Sequence, residues 1–321
     1  MRGVASLVVV AAVALAAAGA GGSRVAAPRT GLFQIGADGT GGHLLLGDPG
    51  LLLDLSPKRD QALLVRHRPG GFDLDTVDLA SSRERALAHT TDWILTGAWS
   101  PNGRTIAFDT ATNRVLLVGS GGRGLRLLAA RARLPSWAPD SRRLVYVGQI
   151  EAGSGVLTIA RTDRRLRRRI GRPAEIGFPR WSPDGDWIAY LGGSSIGVIR
   201  VDGRKLHRFA AGTDLTWSLG GRLAFIRRLG EGRARLDVLN RRTGRVRALA
   251  SGWDLASPAW RPDGKALAFV RYTGGACGSN TELDVVSLGG VRREVTALPS
   301  CAQVSHVFWS RDGRSLFYVS Y

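Results

Sequence analysis

Two tryptophans, Trp93 and Trp253, stand beside the carboxylates Asp92 and Asp254, and with Asp214 and His306 they form the set best suited to hold a ligand. An aromatic face next to a charge supports stacking and ionic contact, which is recognition chemistry rather than bond breaking. Catalytic alternatives are thinner. Gly193-Ser-Ser-Ile-Gly197 matches a nucleophile-elbow pattern around Ser195, but that elbow needs a strand-to-helix turn and an ordered acid and histidine after it. The surrounding residues read instead as a hairpin. His43, His67, His89, His207 and His306 are scattered without metal-ligand spacing. Asp73, Asp75 and Asp78 begin like a calcium loop, yet its glycine and terminal glutamate are missing, and alternation along a strand accounts for them. No catalytic residue, metal ligand or cofactor is assigned.

The elements that must carry these residues are set by a repeat. Trp99-Ser-Pro-Asn-Gly, Trp137-Ala-Pro-Asp-Ser, Trp181-Ser-Pro-Asp-Gly, Trp260-Arg-Pro-Asp-Gly and Trp309-Ser-Arg-Asp-Gly each lead into a short apolar strand. Trp217 heads a copy with a shortened turn, and Leu55-Ser-Pro-Lys-Arg-Asp heads a degenerate one. The anchors at 55, 99, 137, 181, 217, 260 and 309 are 36 to 49 residues apart, the length of one four-stranded propeller blade. Proline presets φ and glycine accepts positive φ at the turn, so each copy is a hairpin of strands A and B. A second alternating pair, such as Gly197–Gly203 followed by Lys205–Phe209, supplies strands C and D.

The expected fold is all-β: a seven-bladed propeller of four-stranded blades. After Trp309 the chain has residues for strands A and B only, while Gly31–Gly39 and His43–Leu46 read as a C/D pair with no A/B before it. The last blade is therefore expected to join N-terminal strands C and D to C-terminal strands A and B, which removes open sheet edges.

The Trp-Ser-Pro-Asp-Gly phrase resembles the propeller repeats of the TolB-like (WD-like) family, over nearly all of residues 31–321. That family includes periplasmic partner-binding proteins, peptidase propellers and some lyases, so the resemblance implies fold more sharply than function. The departures are the count of seven blades rather than six and strands that begin near Gly31, with no small α/β domain ahead of them.

Repeat logic also sorts residues by face. The anchor tryptophans read as inter-blade packing and the turn aspartates as backbone caps. A/B and C/D turns gather arginines on one face, among them Arg59, Arg104, Arg142, Arg204, Arg242, Arg245 and Arg292, and the run Arg164–Arg169 reads as a solvated outer strand. D/A connections gather the six candidate residues on the other. Thr96, Asp214, Ser257 and His306 each lie three residues before an anchor and are expected to ring the axis.

Formal charge is +19, and of 45 basic residues only Lys58, Lys205 and Lys265 are lysine. Such a chain attracts polyanions, and the basic face could take an anionic envelope polymer. Arg2, the apolar run Val8–Ala18 and Ala18-Gly19-Ala20 resemble a secretory signal, giving residues 1–20 as signal peptide, 21–30 as linker and 31–321 as a single propeller domain. The run is short for a membrane span. Export makes nucleic acid an unsuitable partner and favours a monomer that binds a protein or peptide in the periplasm or cell envelope. It also favours a disulfide between Cys277 and Cys301, in a B/C loop and the next D/A connection; two free buried thiols are the other reading. A lyase or hydrolase of acidic polysaccharide, or an accessory peptidase propeller, are the rival functions.

Overall fold

The computed structural model describes residues 30–320 apart from 49, 152–153, 164–165, 194, 210–211, 274–279 and 298–302, and at 173, 280 and 297 the backbone alone. Both cysteines, Cys277 and Cys301, and the proposed signal segment lie outside the described residues. Every regular element described is a strand. The chain opens with β1 (Gly31–Gly36) and β2 (His43–Gly47). Blade 1 is β3 (Leu51–Leu55), β4 (Gln61–Arg68), β5 (Gly71–Asp78) and β6 (Glu84–Thr90). Blade 2 is β7 (Ile94–Trp99), β8 (Thr105–Thr110), β9 (Arg114–Gly119) and β10 (Arg126–Ala130), and blade 3 is β11 (Ala132–Trp137), β12 (Arg143–Glu151), β13 (Ser154–Arg161) and β14 (Arg167–Ala174). Blade 4 is β15 (Ile176–Trp181), β16 (Trp187–Gly192), β17 (Ser195–Arg200) and β18 (His207–Phe209). Blade 5 is β19 (Thr213–Trp217), β20 (Arg222–Gly230), β21 (Arg233–Asn240) and β22 (Val246–Trp253), and blade 6 is β23 (Leu255–Trp260), β24 (Ala266–Thr273), β25 (Asn280–Ser287) and β26 (Arg292–Ala297). Finally come β27 (Val304–Trp309) and β28 (Ser315–Ser320).

Blade 7 has the order β27-β28-β1-β2, with Gly31 to Gly36 pairing antiparallel to Ser320 to Ser315. The expected closure by the two chain ends is what the structure contains, and all seven sheets have four strands. The A strands of blades 1 to 7 touch in sequence, and β27 and β3 close the ring less tightly.

The anchor tryptophans pack between blades. Trp137 shares a core with Ala107, Leu117 and Leu128 of the preceding blade. Its indole N–H donates to Ala98 O at 3.0 Å, and Trp217, Trp260 and Trp309 repeat the bond to Arg180, Thr216 and Ala259. Below each anchor the turn closes on itself. Ser182 Oγ donates to Asp184 Oδ1 at 2.5 Å and accepts Trp187 N–H at 2.9 Å, while Gly185 takes φ 78°.

A second repeated feature carries charge into the blades. Leu74-Asp75, Leu236-Asp237 and Leu283-Asp284 mark a β-bulge in strand C of blades 1, 5 and 6. Asp237 is buried between Arg227 and Arg235, each at 2.7 Å, and Asp284 beside Arg271 at 2.9 Å. These carboxylates are paired, as burial of a charge requires.

Candidate binding site on the propeller axis

Five of the seven A strands carry a left-handed residue three positions before the anchor: Leu134, Phe178, Asp214, Ser257 and His306, with φ between 44° and 57°. The register slips at the same points, between 133 and 136, 177 and 180, 213 and 216, 256 and 259, and 305 and 307. A bulge of this kind re-aims side chains and recurs next to functional sites. L-residues pay about 1 to 2 kcal/mol to adopt such a φ, so its repetition marks a constraint of the ring. Thr96, the blade 2 equivalent, has no positive φ; its N–H and hydroxyl donate to buried Asp109 at 2.9 and 2.5 Å. The other Asp109 oxygen accepts Leu134 N–H of the next blade at 2.9 Å.

Charges of both signs act on one another here: Asp54 feels Arg59 and Arg180, and Arg180 feels Asp54 and Asp214. Asp214 in turn feels Arg228 and Asp254, which are themselves ion-paired. Water reaches Arg180 and Asp214 along the axis, yet protein surrounds them closely. Burial holds the Asp214 carboxyl above the usual aspartate range, against Arg228, the Ser257 N–H and Arg180. Burial likewise raises Asp54, against Arg59 and the N–H groups of Trp99 and Leu55, and lowers Arg180. Arg180 has no carboxylate within ion-pair distance among the described residues; its contact is a 3.5 Å bond to Pro179 O. Tyr272, raised by burial and then by Asp254 and Asp214, completes the group, its hydroxyl donating to Val304 O at 3.4 Å.

His306 is held neutral: burial lowers its pKa from 6.5 to about 4. Its Nδ1 lies 2.8 Å from Ser305 Oγ and its ring stacks on Phe308. Of the other candidates, Trp253 is 63% exposed and lies over Gly232, where a Cβ would approach its ring to 3.0 Å. Trp93 is 49% exposed and tilts on Phe72 at 5.3 Å. Asp92 accepts the N–H and hydroxyl of Thr112. The six residues thus divide: Asp214 and Asp254 share one charged group with Trp253 next to Asp254 in the chain, while Asp92 with Trp93, and His306, lie apart from it.

Arg180, Arg228, Asp54 and Tyr272 were not among the residues singled out by the repeat. Asp54 and Arg180 occupy the position one before the anchor. The signal was present in the repeat, where that position otherwise holds Ala98, Ser136, Thr216, Ala259 and Phe308. Ser195 lies in the β16–β17 hairpin, its hydroxyl donating to Gly192 O at 3.2 Å, as a hairpin reading predicts. Asp73 bonds His89 at 2.6 Å, Asp75 is buried, and Asp78 caps Ser81, so the three serve different parts of blade 1.

On the opposite face Arg104, Arg142, Arg204, Arg242 and Arg245 are exposed, but Arg59 is not with them. It folds inward over the Phe308 ring at 5.5 Å and donates to Leu55 O. Arg167–Arg169 are exposed on outer strand β14, while Arg164 and Arg165 fall outside the described residues.

No family model matches the sequence. An uncharacterized protein of Agrobacterium fabrum is 27% identical over 213 residues, 54% of this chain and 68% of that protein. TolB from Acinetobacter baumannii superposes with a TM-score of 0.55 at 17% identity, over 83% of this chain and 65% of that one. The fold is TolB-like. This chain spans just under two thirds of that TolB, and the TolB-like propeller here has seven blades. An oligogalacturonate lyase in complex with manganese superposes with a TM-score of 0.67 at 14% identity, over 84% of this chain and 88% of that one. At such identities the likeness is one of fold. Among the described residues of the TolB-like propeller, no three His, Cys, Asp or Glu side chains are grouped to hold a metal ion. Nor does any described helix have the length and apolarity to cross a membrane, which says nothing of strands.

Proposed function

We propose that this protein is an exported, non-enzymatic binding protein of the cell envelope that takes a protein or peptide segment at the D/A face of its axis. The observation that carries this reading is the charged group Arg180, Asp214, Arg228 and Asp254 on the axis, with Trp253 exposed on the rim. Charges of both signs suit a partner that itself carries both, as a peptide does, and a rigid aromatic supplies contact area at low entropic cost. The reading includes cleavage after residue 20, a Cys277–Cys301 disulfide and a monomeric state. By the loop-entropy estimate, that disulfide would add roughly 3.5 kcal/mol. A photoreactive residue at position 253, introduced into the full chain in its native cell, should capture a discrete partner from the envelope fraction. Capture only of cytoplasmic or random material would overturn the reading.

A second reading is recognition or cleavage of an acidic polysaccharide, favoured by Arg180, a guanidinium on the axis without a carboxylate in contact. Turnover of uronic-acid polymers, or their saturable binding lost on Arg180→Ala, would establish it; neither with any polymer tried, with or without divalent metal, would remove it.

A further inference from the structure

The A/B turns interlock around the face opposite the candidate site. A Cβ added to Gly185 would meet Pro139 of the preceding turn at 3.4 Å, and one on Gly313 would meet Pro262 at 3.5 Å. Together with Gly103, where a Cβ would meet Pro57 at 3.9 Å, glycine rests against the previous blade's proline at three seams. Between blades 7 and 1 the residues due to make this contact are Arg59, in place of glycine, and Arg311, in place of proline. Blade 1 also carries Leu55 for the anchor tryptophan and Lys58 for the turn aspartate. Correspondingly, β27 and β3 meet less closely than the innermost strands of the other seams.

These departures converge on a cavity of 530 Å3, lined among others by Lys58, Asp60, Gln61, Trp99, Asn102 and Arg311. Its volume suits a small organic ligand. Neither Lys58 nor Arg311 has an ion-pair or hydrogen-bond partner among the described residues. The one carboxylate, Asp60, already accepts Ser56 Oγ–H at 2.6 Å. Trp99 is buried at the cavity wall; its indole N–H has no acceptor among the described residues, as is also true of Trp181 in a regular blade. Two cations without a partner among the described residues, Lys58 and Arg311, beside one carboxylate already engaged give the cavity an excess of positive charge, which an oxyanion would answer.

We propose that this cavity is a second binding site, for a small organic anion bearing carboxylate or phosphate oxygens, held by Lys58 and Arg311. It is independent of the axial reading: the ligand, the face and the residues differ. The repeat itself supplies the test, because aspartate and proline are native to these two turn positions in other blades.

The double variant Lys58→Asp/Arg311→Pro should keep its melting temperature yet weaken binding of citrate or inorganic phosphate to the full-length protein by more than about tenfold, read by titration calorimetry at low salt. Arg142→Asp, in a regular turn, changes the net charge without touching the cavity and should leave binding unchanged. Should the double variant fail to fold, Lys58→Gln/Arg311→Gln reads the same loss. Citrate binding without phosphate binding assigns the site to carboxylates, and the reverse to phosphates. No saturable binding of either anion by the wild type below about 10 mM, or equal weakening by Arg142→Asp, would overturn the proposal.

Discussion

The seams on either side of blade 7 differ in how they are closed. At the seam with blade 6, Trp309 buries its indole and donates to Ala259 O at 2.9 Å, and Gly313 rests on Pro262. At the seam with blade 1, Leu55 replaces the indole, Arg59 stacks on Phe308 instead, and a cavity opens where the turns would interlock. Both seams still share an apolar core, formed at the second by Leu32, Leu52, Leu55, Phe317 and Val319. Stability in this fold therefore resides in what recurs, and specific chemistry in what breaks the recurrence. The axis follows the same rule: the bulge recurs in five blades, but Asp214 and His306 do not.

The contrast can be broken most forcefully at a regular seam. Trp309→Ala should cost about 3 to 5 kcal/mol in denaturant unfolding, because it removes a large buried ring and its hydrogen bond. A loss below about 1 kcal/mol would mean that the repeat tryptophans do not carry inter-blade stability. Next in size is Asp109→Ala, which strands the N–H groups of Thr96 and Leu134 and should cost about 2 to 4 kcal/mol. His306→Asn keeps a residue tolerant of positive φ while removing the imidazole. With the folded pKa at about 4 and the ordinary value at 6.5, the unfolded chain binds the extra proton, so acidification costs stability from about pH 6.5 down to 4. At pH 5 the wild type should have lost about 2 kcal/mol that the variant keeps. Asp54, Asp109 and Asp214 have raised values, so each destabilises the fold as pH rises; comparing wild type with variant cancels them. At the irregular seam, Arg59→Ala should cost about 1 to 2 kcal/mol, from its stacking on Phe308, its bond to Leu55 O and its charge beside Asp54. Smallest is Trp253→Ala, within about 0.5 kcal/mol by thermal unfolding, since the ring is mostly exposed.

The fold was legible because several signals agreed. The Trp-Ser-Pro-Asp-Gly phrase states a hairpin, its spacing states a blade, and the leftover strands at the two ends state the closure. The site was legible only in part. Thr96, Asp214, Ser257 and His306 were expected at one place before the anchors; the last three share a left-handed bulge there, and Thr96 does not. The position one before the anchor also brings Asp54 and Arg180 within each other's charge, which strict strand alternation does not reveal. Arg59 could be assigned to a turn but not to a direction, because its inward path depends on the Phe308 ring of another blade. Asp237 and Asp284 looked like ordinary strand residues until Arg227, Arg235 and Arg271 were seen paired with them.

The central claim is that the face bearing Asp214, Arg228 and Trp253 takes a protein or peptide partner while the arginine-rich face takes none. The direct measurement is site-specific photocrosslinking of the full chain in its native envelope, with the probe at position 253 in one experiment and at 142 in the other. The account predicts one discrete adduct from position 253, lost when Arg228→Ala and Asp214→Ala are combined, and no such adduct from 142. An adduct from 142 alone, or one from 253 that survives those substitutions, would contradict it.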